Sequence, residues 1–390
     1  MLVRSRLPHV GTTIFQLMSE RARQYDAVNL GQGFPDYPID PRLTELVAEA
    51  MHAGYNQYAP MIGVAALRAQ IAAKFARQYG LAVDPEREIT VTIGATEALF
   101  SAVQAVIGPG DEAIVFDPAY DSYEPAVLLA GGRCLHLPLE PPHFAYDWER
   151  VRAALTPHTR LIIINSPLNP ACTCIGEQDL RELERLLEER DITLIADEVY
   201  EQVVFDGATH HSVLKFPALR ARSVVVYSFG KTLHATGLRV GYAVAPPDLS
   251  AELRKVHQFN TFTVPHALQI AVAGYLAERP DCGTDLSGFF AARRDRLAAL
   301  LAGGGFALLP SRGTYFQLID YGALSGATDV EFADQLVREA GVAAIPLSVF
   351  YQQPPHMTLL RLCIAKREET LIEGARRLLA YARTLKGVAA

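Results

Sequence analysis

A lysine, Lys231, follows almost directly on the apolar run VVVYSF at 224–229. An unpaired ammonium inside a buried strand is costly, so Lys231 either leaves the core for a surface turn or lines a pocket that needs an amine. An amine that acts as nucleophile or base at neutral pH must shed its proton, which takes surroundings that disfavour the ammonium by roughly 4 kcal/mol. Other polar residues stand at comparable places. Asp197 ends the apolar run at 193–196, and the carboxyl end of a strand is where open α/β sheets hold ligands. Tyr200 follows three residues on, and NSPLNP sets Asn165 and Asn169 around a turn after the run at 161–164. Gly94, Ala95 and Thr96 stand between an expected strand and helix, where free N–H groups and a hydroxyl suit a phosphate. Each has a plainer reading when taken alone: a surface lysine, a helix cap, ordinary turn chemistry. Together they offer a phosphate cradle, an acid for a ring nitrogen, Asn and Tyr donors for a phenolic oxygen and a lysine for an aldehyde. That set describes a pyridoxal 5′-phosphate site. No GxGxxG follows the first strand and no GxxxxGK[ST] occurs, so a nucleotide site has little support.

The elements that must position these residues alternate in type. Short β-branched runs at 89–93, 112–116, 133–137, 161–165, 193–196, 223–228 and 240–245 predict strands, and several are apolar throughout, as in strands covered on both faces. Helices are expected at 95–107, 123–130 and 177–190. The pattern predicts an α/β fold: a large domain with a mostly parallel central sheet flanked by helices. Beyond it, helices at 265–277 and 289–301 lead through Gly303-Gly304-Gly305 into strand 314–319, helix 329–340, strand 359–364 and helix 368–381, a smaller α+β domain. The expected division is an N-terminal arm and part of the small domain at 1–40, a large domain at 41–285 and a small domain at 286–390.

Composition narrows the class. With 36 basic against 43 acidic residues the net charge is −7, which argues against nucleic acid as a partner. The N-terminus lacks the continuous apolar segment of a secretory signal. The longest near-apolar helical stretch, 267–277, is too short to span a bilayer, so no membrane partner is expected. Five cysteines, an odd number in a chain large enough to fold without bridges, fit a reducing cytoplasm. Cys172 and Cys174 have no second pair to complete a metal site, and no metal is expected.

Motifs along nearly the whole chain resemble those of the class I/II, fold-type I pyridoxal-phosphate-dependent aminotransferases. They include NLGQGFPD at 29–36, NQYAPMIGVAALR at 56–68, GATEAL at 94–99, FDPAYDSY at 116–123, NSPLNP at 165–170 and DEVYE at 197–201. SFGKT at 228–232, GLRVGY at 237–242, GTYF at 313–316 and RLCIAK at 361–366 complete the series in the expected order. The likeness is greatest to the methionine and kynurenine–glutamine aminotransferase branch, with GVAAIPLSVF at 341–350 pointing to the bacterial methionine-specific members.

The resemblance implies that Lys231 is the Schiff-base lysine and the acid–base of the reaction. It implies that Asp197 pairs with the pyridinium nitrogen, that Asn169 and Tyr200 reach the phenolic oxygen and that Tyr120 stacks on the ring. Ala95, Thr96, Ser228 and Arg239 would hold the phosphate, with Tyr58 supplied by the other subunit of a homodimer with composite sites. Arg361 would clamp the substrate carboxylate near Gly33 and Asn169, with Phe15, Ile14, Phe34, Tyr58 and Phe350 around the side chain. The expected reaction is ping-pong transamination, through an internal aldimine, between an apolar, aromatic or thioether L-amino acid, methionine first, and a 2-oxo acid. A cysteine-conjugate β-lyase and a non-catalytic binding protein are the alternatives. Two departures from the family pattern stand out: Ala171-Cys172-Thr173-Cys174 after the Asn-Pro turn, and Leu238-Arg239 where relatives usually carry Trp-Lys.

Overall fold

A computed structural model describes residues 4–188 and 190–387. A seven-stranded sheet carries the strands in the order Ile89–Thr92, Gly241–Val244, Ser223–Ser228, Thr193–Asp197, Thr159–Asn165, Glu112–Asp117 and Arg133–Pro138. All run the same way except Gly241–Val244, which is antiparallel to both its neighbours. Successive side chains in the central strands go to opposite faces. Ile162, Ile164, Leu194, Ala196 and Val225 join the cluster on one side, and Leu161, Ile163, Ile195, Val224 and Val226 the cluster on the other. Both faces are covered, which is why these runs are apolar at every position.

Helix Gly94–Val106 lies on one face beside Pro247–Asn260, sending Ala98, Leu99, Ala102 and Val103 into the sheet. Ala65–Tyr79 buries Leu67, Ile71 and Phe75, four residues apart, in the other cluster. The helix expected at 177–190 ends at Leu187, with Glu189 outside the described residues.

A second, antiparallel sheet orders Ile345–Pro346, Leu359–Cys363, Phe316–Asp320 and Ala307–Leu308, with helices Leu286–Leu301 and Glu368–Leu385 packed together beside it. Its strand Phe316–Asp320 starts two residues later than the sequence predicts. Thr314 holds φ 70°, a left-handed conformation that no strand continues. Of the arm, Met1 to Val3 lie outside the described residues. Strand Val28–Asn29 pairs in parallel with Val342–Ala343, and the Leu30 carbonyl accepts from the Cys363 N–H at 2.7 Å. No described helix is long and apolar enough to cross a membrane.

Candidate active site

Strand register brings the polar residues to one edge of the large sheet. Asn165 lies opposite Asp197, Asp197 opposite Val226, and Ser228 opposite Gly241, which in turn faces Thr92. Because Gly241–Val244 runs antiparallel, its start, preceded by Arg239, meets the carboxyl ends of the other strands. The helix Gly94–Val106 begins at that same edge. Two glycines permit the approach. A Cβ on Gly241 would stand 2.8 Å from the Gly94 carbonyl carbon and 2.9 Å from the Ala95 nitrogen. Gly94 has φ +68°, and a Cβ there would meet Nη2 of Arg239 at 2.7 Å.

The cleft so formed is lined by Ala95, Thr96, Tyr120, Asn169, Asp197, Tyr200, Ser228, Lys231 and Arg239, joined by Asn165, Leu99 and Val199. Tyr58, the remaining residue expected at a cofactor, is not among them. It is 80 % exposed, its ring 5.2 Å from that of Phe262.

At one end of the cleft the helix start has no side-chain cap, so its N–H groups and dipole are free for an anion. Arg239 lies beside it, its Nη1 donating to the Thr236 carbonyl at 3.1 Å. In the middle sits Asp197, fully enclosed. Its Oδ2 accepts from the Tyr123 hydroxyl at 2.7 Å and its Oδ1 from the Val199 N–H at 3.3 Å. Asn165 donates to the Asp197 carbonyl at 2.7 Å and accepts from the Asn169 N–H at 2.8 Å, tying the turn to the strand. Lys231 stands in the short helix Phe229–Thr232 after its strand. Its Nζ donates to the Tyr315 hydroxyl at 2.8 Å, and that hydroxyl donates to the Gly33 carbonyl at 2.6 Å. The ammonium also faces the rings of Tyr200 and Tyr315, at 5.4 and 5.2 Å.

Arg361 is 1 % exposed. Its Nη1 donates to Asn169 Oδ1 at 2.6 Å and its Nη2 to the Gly31 carbonyl at 3.1 Å, while Nε has no partner among the described residues. Its guanidinium lies 3.9 Å from the Phe316 ring centre, 5.2 Å from Phe15 and 5.6 Å from Phe350. Ile14 and Phe350 border an adjoining cavity together with Tyr120. Phe34 is placed differently: it is 40 % exposed, and Lys366 donates to its carbonyl at 2.9 Å. Gly33 packs so tightly that a Cβ would stand 2.6 Å from Phe316 Cζ. Tyr123 and Tyr315 were not singled out as site residues from sequence. Both stand inside motifs, FDPAYDSY and GTYF, but their partners are 74 and 84 residues away.

Burial pushes the Asp197 carboxyl up to about 6, against the lowering effects of Tyr123, the Val199 N–H and Lys231. A raised carboxyl pKa destabilises the fold above that pKa, by roughly 3 kcal/mol here, and the cost fades as pH falls toward the ordinary value. In cofactor-free protein, Asp197→Asn should therefore melt higher than the unsubstituted chain at pH 8, with the advantage about halved at pH 5. Melting curves at the two pH values check this; a variant less stable at pH 8 would contradict it.

The donor set fits pyridoxal 5′-phosphate: an uncapped helix start with Arg239 for the phosphate, a buried carboxylate for a protonated ring nitrogen, and an amine between aromatic rings. A buried carboxylate without a cation in hydrogen-bonding reach is the group a pyridinium N–H would satisfy.

Comparison with known proteins agrees with the geometry. Residues 25–378 match the family model for aminotransferase class I and II. The chain is 49 % identical over 378 residues to methionine aminotransferase of Escherichia coli K12, covering 97 % of this chain and 98 % of that one. It is 39 % identical to a probable N-succinyldiaminopimelate aminotransferase of Mycobacterium tuberculosis (96 % and 97 % covered) and 32 % identical to mouse kynurenine–oxoglutarate transaminase 1 (92 % and 93 %). The crystal structure of YbdL from Escherichia coli, reported with a methionine aminotransferase function, superposes with a TM-score of 0.95 at 48 % identity, over 97 % of this chain and all of that one. The chain belongs to the class I and II aminotransferases and is a pyridoxal 5′-phosphate-dependent enzyme of that family.

Proposed function

We propose that the enzyme transfers the amino group of an apolar or thioether L-amino acid, methionine foremost, to a 2-oxo acid. The observation that carries this reading is Arg361: a buried guanidinium that has, among the described residues, neither a partner for Nε nor a carboxylate within ion-pair distance, ringed by Phe15, Phe316 and Phe350. Its fork suits a substrate α-carboxylate, and the rings around it suit an uncharged side chain. The likeness to methionine aminotransferase supports methionine as donor.

Pyridoxal phosphate, when bound, supplies the electron sink that makes a proton at the substrate Cα removable. In this reading the helix start at Ala95 and Thr96, Ser228 and Arg239 bind its phosphate, and Tyr120 covers the ring. Asp197 holds a proton at the ring nitrogen; Asn169 and Tyr200 donate to the phenolic oxygen. Lys231 would take the proton from the substrate Cα and deliver it to the former aldehyde carbon of the cofactor, with the Tyr315 hydroxyl holding its Nζ. Arg361 fixes the carboxylate so that the Cα hydrogen points at the Lys231 amine.

Tyr58, exposed beside Phe262 and accompanied by an 86 % exposed Phe259, belongs to a surface that a second copy of the chain covers, bringing Tyr58 to the phosphate of the neighbouring site. In this reading residues 1–40 form an N-terminal arm and part of the small domain, 41–285 the large cofactor-binding domain and 286–390 the small domain. Five free cysteines, three of them buried, suit a cytoplasmic setting.

Steady-state rates across a panel of amino acids test the substrate reading. We expect kcat/KM for L-methionine to exceed that for L-aspartate by about 100-fold, since an acidic side chain among phenylalanines goes unpaired. Equal values would overturn it. The same assay on Tyr58→Phe, with cofactor retention during dilution, should show weaker retention; unchanged retention would count against the shared site.

A further inference from the structure

Asp117 and His136 are buried titratable groups for which the reaction has no use. Asp117 ends the strand Glu112–Asp117, and His136 lies on the neighbouring strand Arg133–Pro138. Their side chains are 3 % and 7 % exposed, and Asp117 Oδ1 stands 2.8 Å from His136 Nδ1. On its other side His136 Nε2 faces Glu124 Oε1 at 3.5 Å, the long end of hydrogen-bonding range. Burial alone disfavours the imidazolium, yet the two carboxylates outweigh it and raise the His136 pKa above the usual value.

The second oxygen of Asp117 reaches across the molecule: Oδ2 accepts from the backbone N–H of Gln352 at 2.9 Å. Two more bonds fasten the same segment to the large sheet. The Ala119 N–H donates to the Phe350 carbonyl at 2.9 Å, and the Tyr351 hydroxyl donates to the Leu139 carbonyl at 2.9 Å. Phe350 thus stands between a bond to its own carbonyl and one to the residue two positions on, and Tyr120 follows Asp117 by three residues. One carboxylate, held from behind by His136, thus fastens the segment that carries Phe350, an aromatic wall around Arg361.

We propose that Asp117, braced by His136, is a positioning residue for substrate side-chain selectivity, acting through the Gln352 backbone to set where the Phe350 ring stands. The inference rests on the reading above that Phe350 borders the substrate side chain. An acceptor at Asp117 suffices to hold Gln352. The carboxylate charge serves to orient the imidazole, and an amide at 117 can keep both contacts if the imidazole shifts to the tautomer with a hydrogen on Nε2.

The test compares kcat/KM for L-methionine with that for L-alanine, whose methyl group does not reach the Phe350 wall, in the holoenzyme. Gln352→Pro removes the donor; Tyr351 before it already has the extended φ −107°, ψ 137° that a following proline requires. Asp117→Ala removes the acceptor. Each should lower the methionine-to-alanine ratio about tenfold, the scale on which an apolar pocket discriminates, while the cofactor absorption band and the alanine rate stay near their original values. Asp117→Asn should restore most of the ratio. Should Asp117→Ala fail to fold, Gln352→Pro decides alone. Phe350→Ala is measured alongside. If it shifts the ratio while Gln352→Pro does not, the positioning role is overturned and the pocket reading stands. If Phe350→Ala leaves the ratio unchanged, the pocket reading falls and this inference with it. An equal loss of both rates in the Gln352 and Asp117 variants would mark a general structural role and overturn the proposal.

Discussion

Lys231→Ala should lower kcat for transamination by about 10⁴-fold, the scale of losing a positioned proton-transfer group. No neighbour can take over. Tyr315, at 2.8 Å, has a phenol in place of an amine, and Arg239 stands beside the helix start, bonded to the Thr236 carbonyl. Lys74 lies on the opposite side of the sheet edge, paired with Glu201 and bonded to Tyr242 at 2.9 Å. The variant should still retain the phosphate-bearing cofactor, since the helix start, Ser228 and Arg239 are untouched. Stopped-flow single-turnover rates with the cofactor supplied in excess separate the two effects. A variant that turned over within tenfold of the original enzyme would remove Lys231 from the mechanism.

Arg361→Lys should reduce kcat/KM for every amino acid by about 10²- to 10³-fold, because one partner of a desolvated charge pair loses its matching geometry. The loss arises mainly in binding. Lysine keeps the charge but presents a point in place of a fork, and it cannot reach both Asn169 and Gly31 while facing a carboxylate. The cofactor-free protein should respond differently. Burial already lowers the Arg361 pKa, and among the described residues no carboxylate lies within ion-pair distance of the guanidinium, so exchanging it for another cation breaks no ion pair. A large kinetic loss with a melting temperature within a few degrees of the original is the expected pair of results. A melting temperature that collapsed together with the rate would indicate that Arg361 is a structural residue first.

The central strands and the residues at their ends were legible in the sequence for one physical reason. A strand covered on both faces is apolar throughout, so a polar residue directly after it stands out: Asn165 after Ile164, Asp197 after Ala196, Lys231 soon after Phe229. Register then carries these ends to one edge, which the sequence pattern implies but does not display. What was not legible depends on the third dimension. The insertion of Gly241–Val244 as an antiparallel strand between the first strand and Ser223–Ser228 leaves no mark in composition. Helices Pro41–His52 and Pro247–Asn260 bury only two or three side chains each, too narrow a stripe to read as a periodic pattern. The hydroxyl that holds Lys231 donates its own hydrogen bond to a carbonyl 282 residues away. Phe34 shows the converse: chemically suited to an apolar pocket and adjacent in sequence to Gly33, it faces Lys366.

The most direct measurement is the absorption spectrum of the holoenzyme during addition of L-methionine, followed by a 2-oxo acid. The cofactor band should bleach with one equivalent of oxo acid released from methionine per site, then return in full on adding the acceptor, through as many cycles as are run. A band that methionine, phenylalanine and leucine all leave untouched would contradict the account of Arg361 and its phenylalanines as the substrate site.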